Sequence, residues 1–296
     1  MRCGFLGPLE VRDNEGVLIG VAGAKERKLL AVLATACPAV VSVDRLCELV
    51  WDGEPPATAR KSLQAHVVRL RSALEPDRPH GSPGRYVVRR QAGYALALER
   101  DELDCLTFAD LSARGRALLS SGNPAEARNA LGEALDLWRG EPYADWPDAL
   151  FAEAERQRLE GVWTMVTESL WEAELALGNH AEAIPELERM AGEHPLHENW
   201  WSLLAVALYR SGRQGDAMDA VRRARSVLTE ELGADPGPRL RAVEHAVLVQ
   251  DPDLDIGERR HETAREKGPD RPRAEGRVER CPRRGAGEAP AARAGR

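Results

Sequence analysis

The sequence predicts two unlike folded parts, a small α+β domain over residues 1–100 and an all-α repeat domain over residues 101–254, followed by a tail at 255–296. Three observations predict this. Short alternating segments and helical periods intermix in the first hundred residues, a six-residue phrase recurs through an almost wholly helix-forming stretch after them, and the charge changes sign between the two. Residues 1–100 carry 15 Lys and Arg against 11 Asp and Glu, whereas residues 101–250 carry 14 against 27, so the overall net charge of −7 conceals a basic front and an acidic rear. With 43% hydrophobic residues the chain can bury two cores.

In chain order, alternation at 5–11 and 17–21 flanks the turn formers Asp13, Asn14 and Gly16 and reads as a β-hairpin. Helical periods follow at about 25–36, 44–51 and 57–74. Alternation then returns at 86–98, where Gly93 offers a turn or bulge. The order is therefore sheet, three helices, hairpin. In the third helix Leu63, Val67, Leu70 and Leu74 stand 4, 3 and 4 apart and form one apolar stripe. Its other face presents Arg60, Lys61, Gln64, Ala65, Val68, Arg69 and Ser72, which combines cations for phosphates with amide and small apolar groups for base edges. A solvated amphipathic helix has the same pattern. The charge context favours nucleic acid, because residues 57–90 hold eight Lys or Arg against only Glu75 and Asp77.

The recurring phrase is GNPAEA at 122–127, GNHAEA at 178–183 and GRQGDA at 212–217, the last two 34 residues apart. That period is the tetratricopeptide signature, in which Gly closes one helix and a small Ala near the start of the next permits close packing. Ala183, Leu187 and Pro195 fit it, and Ala217, Val221 and Ala224 repeat the helix face. The first copy lies 56 residues before the second and so carries an insertion. Three tetratricopeptide-like units and a last helix at about 237–250 are expected. The tail is Arg, Glu, Pro, Gly and Ala with few large apolar residues, a composition expected to be disordered and one that reading GC-rich DNA out of frame also produces.

No catalytic constellation emerges. His194 and His197 lack the HExxH spacing of a zinc helix, and in the stretch from Gly20 to Lys25 Ala24 separates Gly23 from Lys25, which breaks the phosphate-loop pattern. The five cysteines are scattered and odd in number, as expected of reduced thiols. The apolar run at 29–41 is interrupted by Pro38 and is shorter than the about 20 residues a bilayer span needs, and no secretory leader is evident. The expectation is a cytoplasmic non-enzyme with no cofactor, no metal and no membrane partner. The tryptophans at 138, 146, 163, 171, 200 and 201 are read as filling gaps between helices, with a ligand groove as the alternative.

Context narrows the function. HVVRLRSALEP at 66–76 is followed by YVVRRQAGY at 86–94, a basic hairpin ending in Gly-Tyr, and with the order of elements this resembles the winged-helix domain of OmpR/PhoB-type response regulators. The resemblance implies that the third helix enters the major groove and the hairpin wing touches neighbouring backbone or minor groove. It implies a DNA-binding set of Lys61, Ser62, Gln64, Ala65, His66, Val68 and Arg69 on the helix and Arg89, Arg90 and Gln91 on the wing, with Lys61 and His66 toward phosphates and Gln64, Ala65, Val68 and Arg69 toward bases. Val68 offers no hydrogen bond where relatives commonly carry a polar or basic residue. Lys25, Arg27 and Lys28 are weaker candidates for backbone contacts.

Together with the helical half, the phrases FLGPLEV (5–11), VDRL (43–46), WDGEPP (51–56), LWRGEP (137–142), HPLHE (194–198), LYRSGR (208–213) and LGADPGP (232–238) resemble the Streptomyces antibiotic regulatory protein family, whose bacterial transcriptional activator domain follows the winged helix. His197 stands where the family more often has Arg. The resemblance covers about 4–254 and implies an activator of a secondary-metabolite (antibiotic) gene cluster. Its implied partners are double-stranded promoter DNA with direct repeats, RNA polymerase holoenzyme and further copies of the chain side by side on DNA. The alternative is a tetratricopeptide-type adaptor with little DNA affinity.

Overall fold

The computed structural model describes residues 1–79 and 81–255, so all but the first residue of the expected disordered tail lies outside the described residues. Strand β1 (Arg2–Gly4) pairs antiparallel with β2 (Glu10–Arg12), Cys3 opposite Val11. This differs from the expected hairpin of 5–11 with 17–21. The turn formers act as read, since the Asp13 carboxylate accepts the Glu15 and Val17 amides at 2.9 and 2.8 Å, but beyond them the chain makes only an isolated bridge from Leu18 to Arg12. Phe5 and Leu6 leave the ladder because their amides find another acceptor, the Asp104 carboxylate, at 2.8 and 2.9 Å. Alternation shows that a residue is half-buried but not which group will accept its amide.

Three helices follow, α1 (Ala24–Thr35), α2 (Val43–Val50) and α3 (Ala59–Leu74), within a residue or two of expectation. The Ser42 hydroxyl caps α2 by accepting the Arg45 amide at 3.2 Å. Strands β4 (Val87–Arg90) and β5 (Gly93–Leu96) form the expected hairpin, and a two-residue strand, β3 (Val41–Ser42), pairs with β5 to give the order β3-β5-β4. Gly93 serves that third strand, because a Cβ there would lie 1.9 Å from the Val41 carbonyl oxygen.

Helices α4 (Asp104–Ser120), α5 (Pro124–Leu135), α6 (Leu150–Ala176), α7 (His180–Glu193), α8 (Glu198–Arg210), α9 (Gln214–Leu232) and α10 (Pro238–Val249) make up the rest. The three recurring phrases fall at the α4–α5, α6–α7 and α8–α9 turns. Gly122, Gly178 and Gly212 sit there at φ 78°, 92° and 75°, a conformation that costs any other L-residue about 1–2 kcal/mol. Gly178→Ala is therefore expected to lower stability by about that amount, read as a shifted urea midpoint with an unchanged slope. The alanines that follow, Ala127, Ala183 and Ala217, are fully buried. Trp200 and Trp201 are buried in the rear core, and Trp138 packs edge-on to Phe108 with Trp163 alongside.

The 56-residue offset has two sources: α6 runs 27 residues where α8 runs 13, and residues 136–149 separate α5 from α6 where only 194–197 separate α7 from α8. The segment between α5 and α6 lies along the N-terminal strand region, with the Arg139 and Tyr143 amides donating to the Leu6 and Phe5 carbonyls at 2.7 and 2.8 Å and the Phe5 and Tyr143 rings stacked at 5.0 Å. One buried cluster accordingly runs from Met1 to Ala173 and a second from Leu175 to Val247. Cys3, Cys37, Cys47 and Cys105 are free, and burial, with Asp104 nearby, pushes the Cys3 thiol up to about 12, which leaves it unreactive. Among the described residues no helix is long and apolar enough to cross a membrane.

Candidate nucleic-acid interface

Helix α3 is anchored by the predicted stripe: Leu63 and Leu70 are fully buried, Val67 and Leu74 nearly so. Its first turn carries no acidic residue, so the positive end of the helix dipole is left uncompensated there. The opposite face is open to solvent, with Lys61, Gln64, Ala65, Val68 and Arg69 exposed in one strip. Arg60, also exposed, pairs with Asp44 of α2 at 2.5 Å. Two residues of the expected set do not join the strip. Ser62 is half-buried, and His66 keeps only 15% of its side chain exposed, with its ring edge-on to Trp51 and Nδ1 3.0 Å from a Glu26 oxygen.

The wing is tied to α3 by side chains at the end of the helix. Arg71 donates from Nε to the Val87 carbonyl at 2.8 Å, and the Glu75 carboxylate accepts the Arg85 and Tyr86 amides at 3.0 and 3.2 Å. Hairpin and helix therefore present their outer surfaces together. Arg89, Arg90 and Gln91 are all exposed. Arg89 lies along the strand, donating to the Tyr94 hydroxyl at 2.9 Å with its guanidinium over that ring at 5.0 Å, while Arg90 and Gln91 stand at the tip. Of the three α1 cations only Arg27 faces solvent. Lys25 donates to the Val50 carbonyl at 2.7 Å and stands over Trp51, and the buried Lys28 pairs with Asp52.

The residue that sequence reasoning missed is Glu26. It lies in the first turn of α1, is buried, and reaches across to accept hydrogen bonds from Arg69 Nε and His66. Burial pushes its carboxyl up, but the bonds from Arg69 and His66 and from its own amide outweigh this and hold it below the 4.5 of an ordinary glutamate. A carboxylate lowered on folding contributes stability that is present above its unfolded value and is lost as pH falls through the folded one. The melting-temperature gap between wild type and Glu26→Gln is thus expected to be full near neutrality and to close as melts are taken below pH 4.5. A constant gap would show that the charge contributes nothing. The sequence signal, an acid three residues after a glycine N-cap, is the same as for an ordinary helix-start glutamate.

Comparison with known proteins gives a consistent result. Residues 21–96 match the model of the C-terminal domain of transcriptional regulatory proteins, and residues 103–248 match the bacterial transcriptional activator domain. The chain is 34% identical over 258 residues to the regulatory protein DnrI of Streptomyces peucetius, an alignment covering 86% of this chain and 94% of that protein. It is 36% identical over 256 residues to the regulatory protein AfsR of Streptomyces coelicolor, covering 86% of this chain but 25% of that one. Among solved structures, Mycobacterium tuberculosis EmbR in complex with a low-affinity phosphopeptide superposes with a TM-score of 0.79 at 33% identity, over 90% of this chain and 69% of that one.

Proposed function

Because the chain belongs to the Streptomyces antibiotic regulatory protein family of transcriptional regulators, we propose that it activates a secondary-metabolite (antibiotic) gene cluster by binding direct repeats near promoters and recruiting RNA polymerase. In this reading residues 1–100 bind DNA in the cytoplasm and residues 101–254 make the protein contacts. The observation that carries it is the exposed strip of Lys61, Gln64, Ala65, Val68 and Arg69, braced at a set position beside the tip residues Arg90 and Gln91. That arrangement offers cations to phosphates at the helix start, readout groups along its middle and a second cationic point a hairpin away. Ser62 and Arg89 support the two flanks, and His66 serves the interface by bracing α3 on α1.

Direct repeats imply protomers in one orientation about one DNA turn apart. A mobility shift of the full chain on the promoters of its own gene cluster, with excess random DNA at about 150 mM salt, tests this. A specific shift in two steps is expected, and no shift by folded protein on any of them overturns it. Lys61→Ala is expected to weaken binding to every duplex about equally and to reduce the slope of log K against log salt by about 1. A loss confined to one sequence would move Lys61 from the phosphates to a base.

A further inference from the structure

We infer that Glu26 is a positioning residue for base readout, holding Arg69 so that its guanidinium meets the groove with its outer edge. This rests on the DNA-binding reading of α3. An arginine reads guanine through two parallel bonds to O6 and N7, and its planar fork can offer either the Nε–Nη2 edge or the Nη1–Nη2 edge. Here Nε donates to Glu26, and Nη2 lies 2.8 Å from Nδ1 of His66, whose own proton goes to Glu26. The inner edge is therefore turned toward Glu26 and His66, its Nε bonded and its Nη2 covered by the ring. The outer edge is open to solvent, with the Arg69 side chain 59% exposed while the Glu26 side chain retains only 9%. Rotamer freedom that a long side chain would otherwise surrender on binding is given up beforehand.

Two further features fit this role. A buried carboxylate facing DNA repels phosphates unless a cation accompanies it, so Glu26 and Arg69 together present no net charge and Arg69 acts through hydrogen bonds and not as a free phosphate-seeking cation. The glutamate is also guided from behind, because its carboxylate folds back over Gly23 so closely that a Cβ there would lie 1.8 Å from Oε2. Gly23 has ordinary extended backbone at φ −77° and ψ 130°, which alanine adopts without strain. Gly23→Ala therefore displaces the carboxylate and leaves every charge in place.

The test uses the full chain and a randomised duplex library. The wild-type preferred site is selected first, and dissociation constants are then measured on it and its single-base-pair variants at stepped salt for wild type, Glu26→Gln, Gly23→Ala, Arg69→Ala and the Glu26→Gln/Arg69→Ala double variant. The base pair read by Arg69 is the one at which Arg69→Ala stops discriminating. At that pair Glu26→Gln and Gly23→Ala are each expected to lose about tenfold in discrimination. Glu26→Gln should also steepen the salt slope by about 1, and the double variant should discriminate no worse than Arg69→Ala alone. Full discrimination with an unchanged slope in both single variants, accompanied only by lower melting temperatures, overturns the inference and leaves Glu26 as a stabilising tie. A wild type that enriches no sequence defeats the DNA-binding reading itself, and this one with it.

Discussion

Asp104→Ala is expected to destabilise the protein by roughly 3–5 kcal/mol. The carboxylate begins α4 and accepts from the amides of Phe5, Leu6 and Cys105 at 2.8–2.9 Å, with the Arg139 guanidinium 3.3 Å away. Removing it orphans three amides at a buried seam and leaves Arg139, which also reaches the Pro8 carbonyl and Glu10, without its inner partner. Burial pushes the Asp104 carboxyl up despite these donors, so its charge is held at a cost. Asp104→Asn, which keeps one acceptor oxygen without that cost, should consequently lose less than Ala. Urea unfolding followed by circular dichroism reads both. An alanine variant within about 1 kcal/mol of wild type would mean that stacking of Phe5 on Tyr143 and apolar burial hold the seam unaided.

Arg69→Ala is expected to reduce affinity for the preferred site by about 1–3 kcal/mol and to abolish preference at one base pair, with little change on random duplex. The contrast with Lys61→Ala lies in where the loss appears, at one position or across all sequences. Because Arg69 also satisfies a buried carboxylate, the variant should melt somewhat earlier, and binding has to be compared well below its transition. Equal affinity of wild type and variant for every duplex would remove Arg69 from the reading face.

How much was legible in the sequence follows from the range of the interactions involved. The α3 stripe and the open strip opposite it depend on a period of 3.6 residues, and the structure places Leu63, Val67, Leu70 and Leu74 inside with Lys61, Gln64 and Val68 outside. The repeat turns were equally readable, since positive φ at Gly122, Gly178 and Gly212 is a requirement the local chain states for itself. His66, which the resemblance placed toward phosphates, has surroundings that no local pattern announces. Only the packing of α3 against α1 and the end of α2 brings Glu26 and Trp51 around its ring.

Local pattern thus settled the helices and the hairpin at 86–98, where the repeats turn and which side of α3 is free, but not the N-terminal strands, because backbone sterics and side-chain burial act over a few residues. The partners of groups far apart in the chain were decided by tertiary structure alone. Phe5 and Leu6 abandon a strand for a carboxylate 98 or 99 residues away, β3 closes on Gly93, and Glu26 reaches 43 residues along the chain to Arg69. A hydrogen-bonding group selects whatever partner packing brings within about 3 Å, and that choice has no period for a sequence to display.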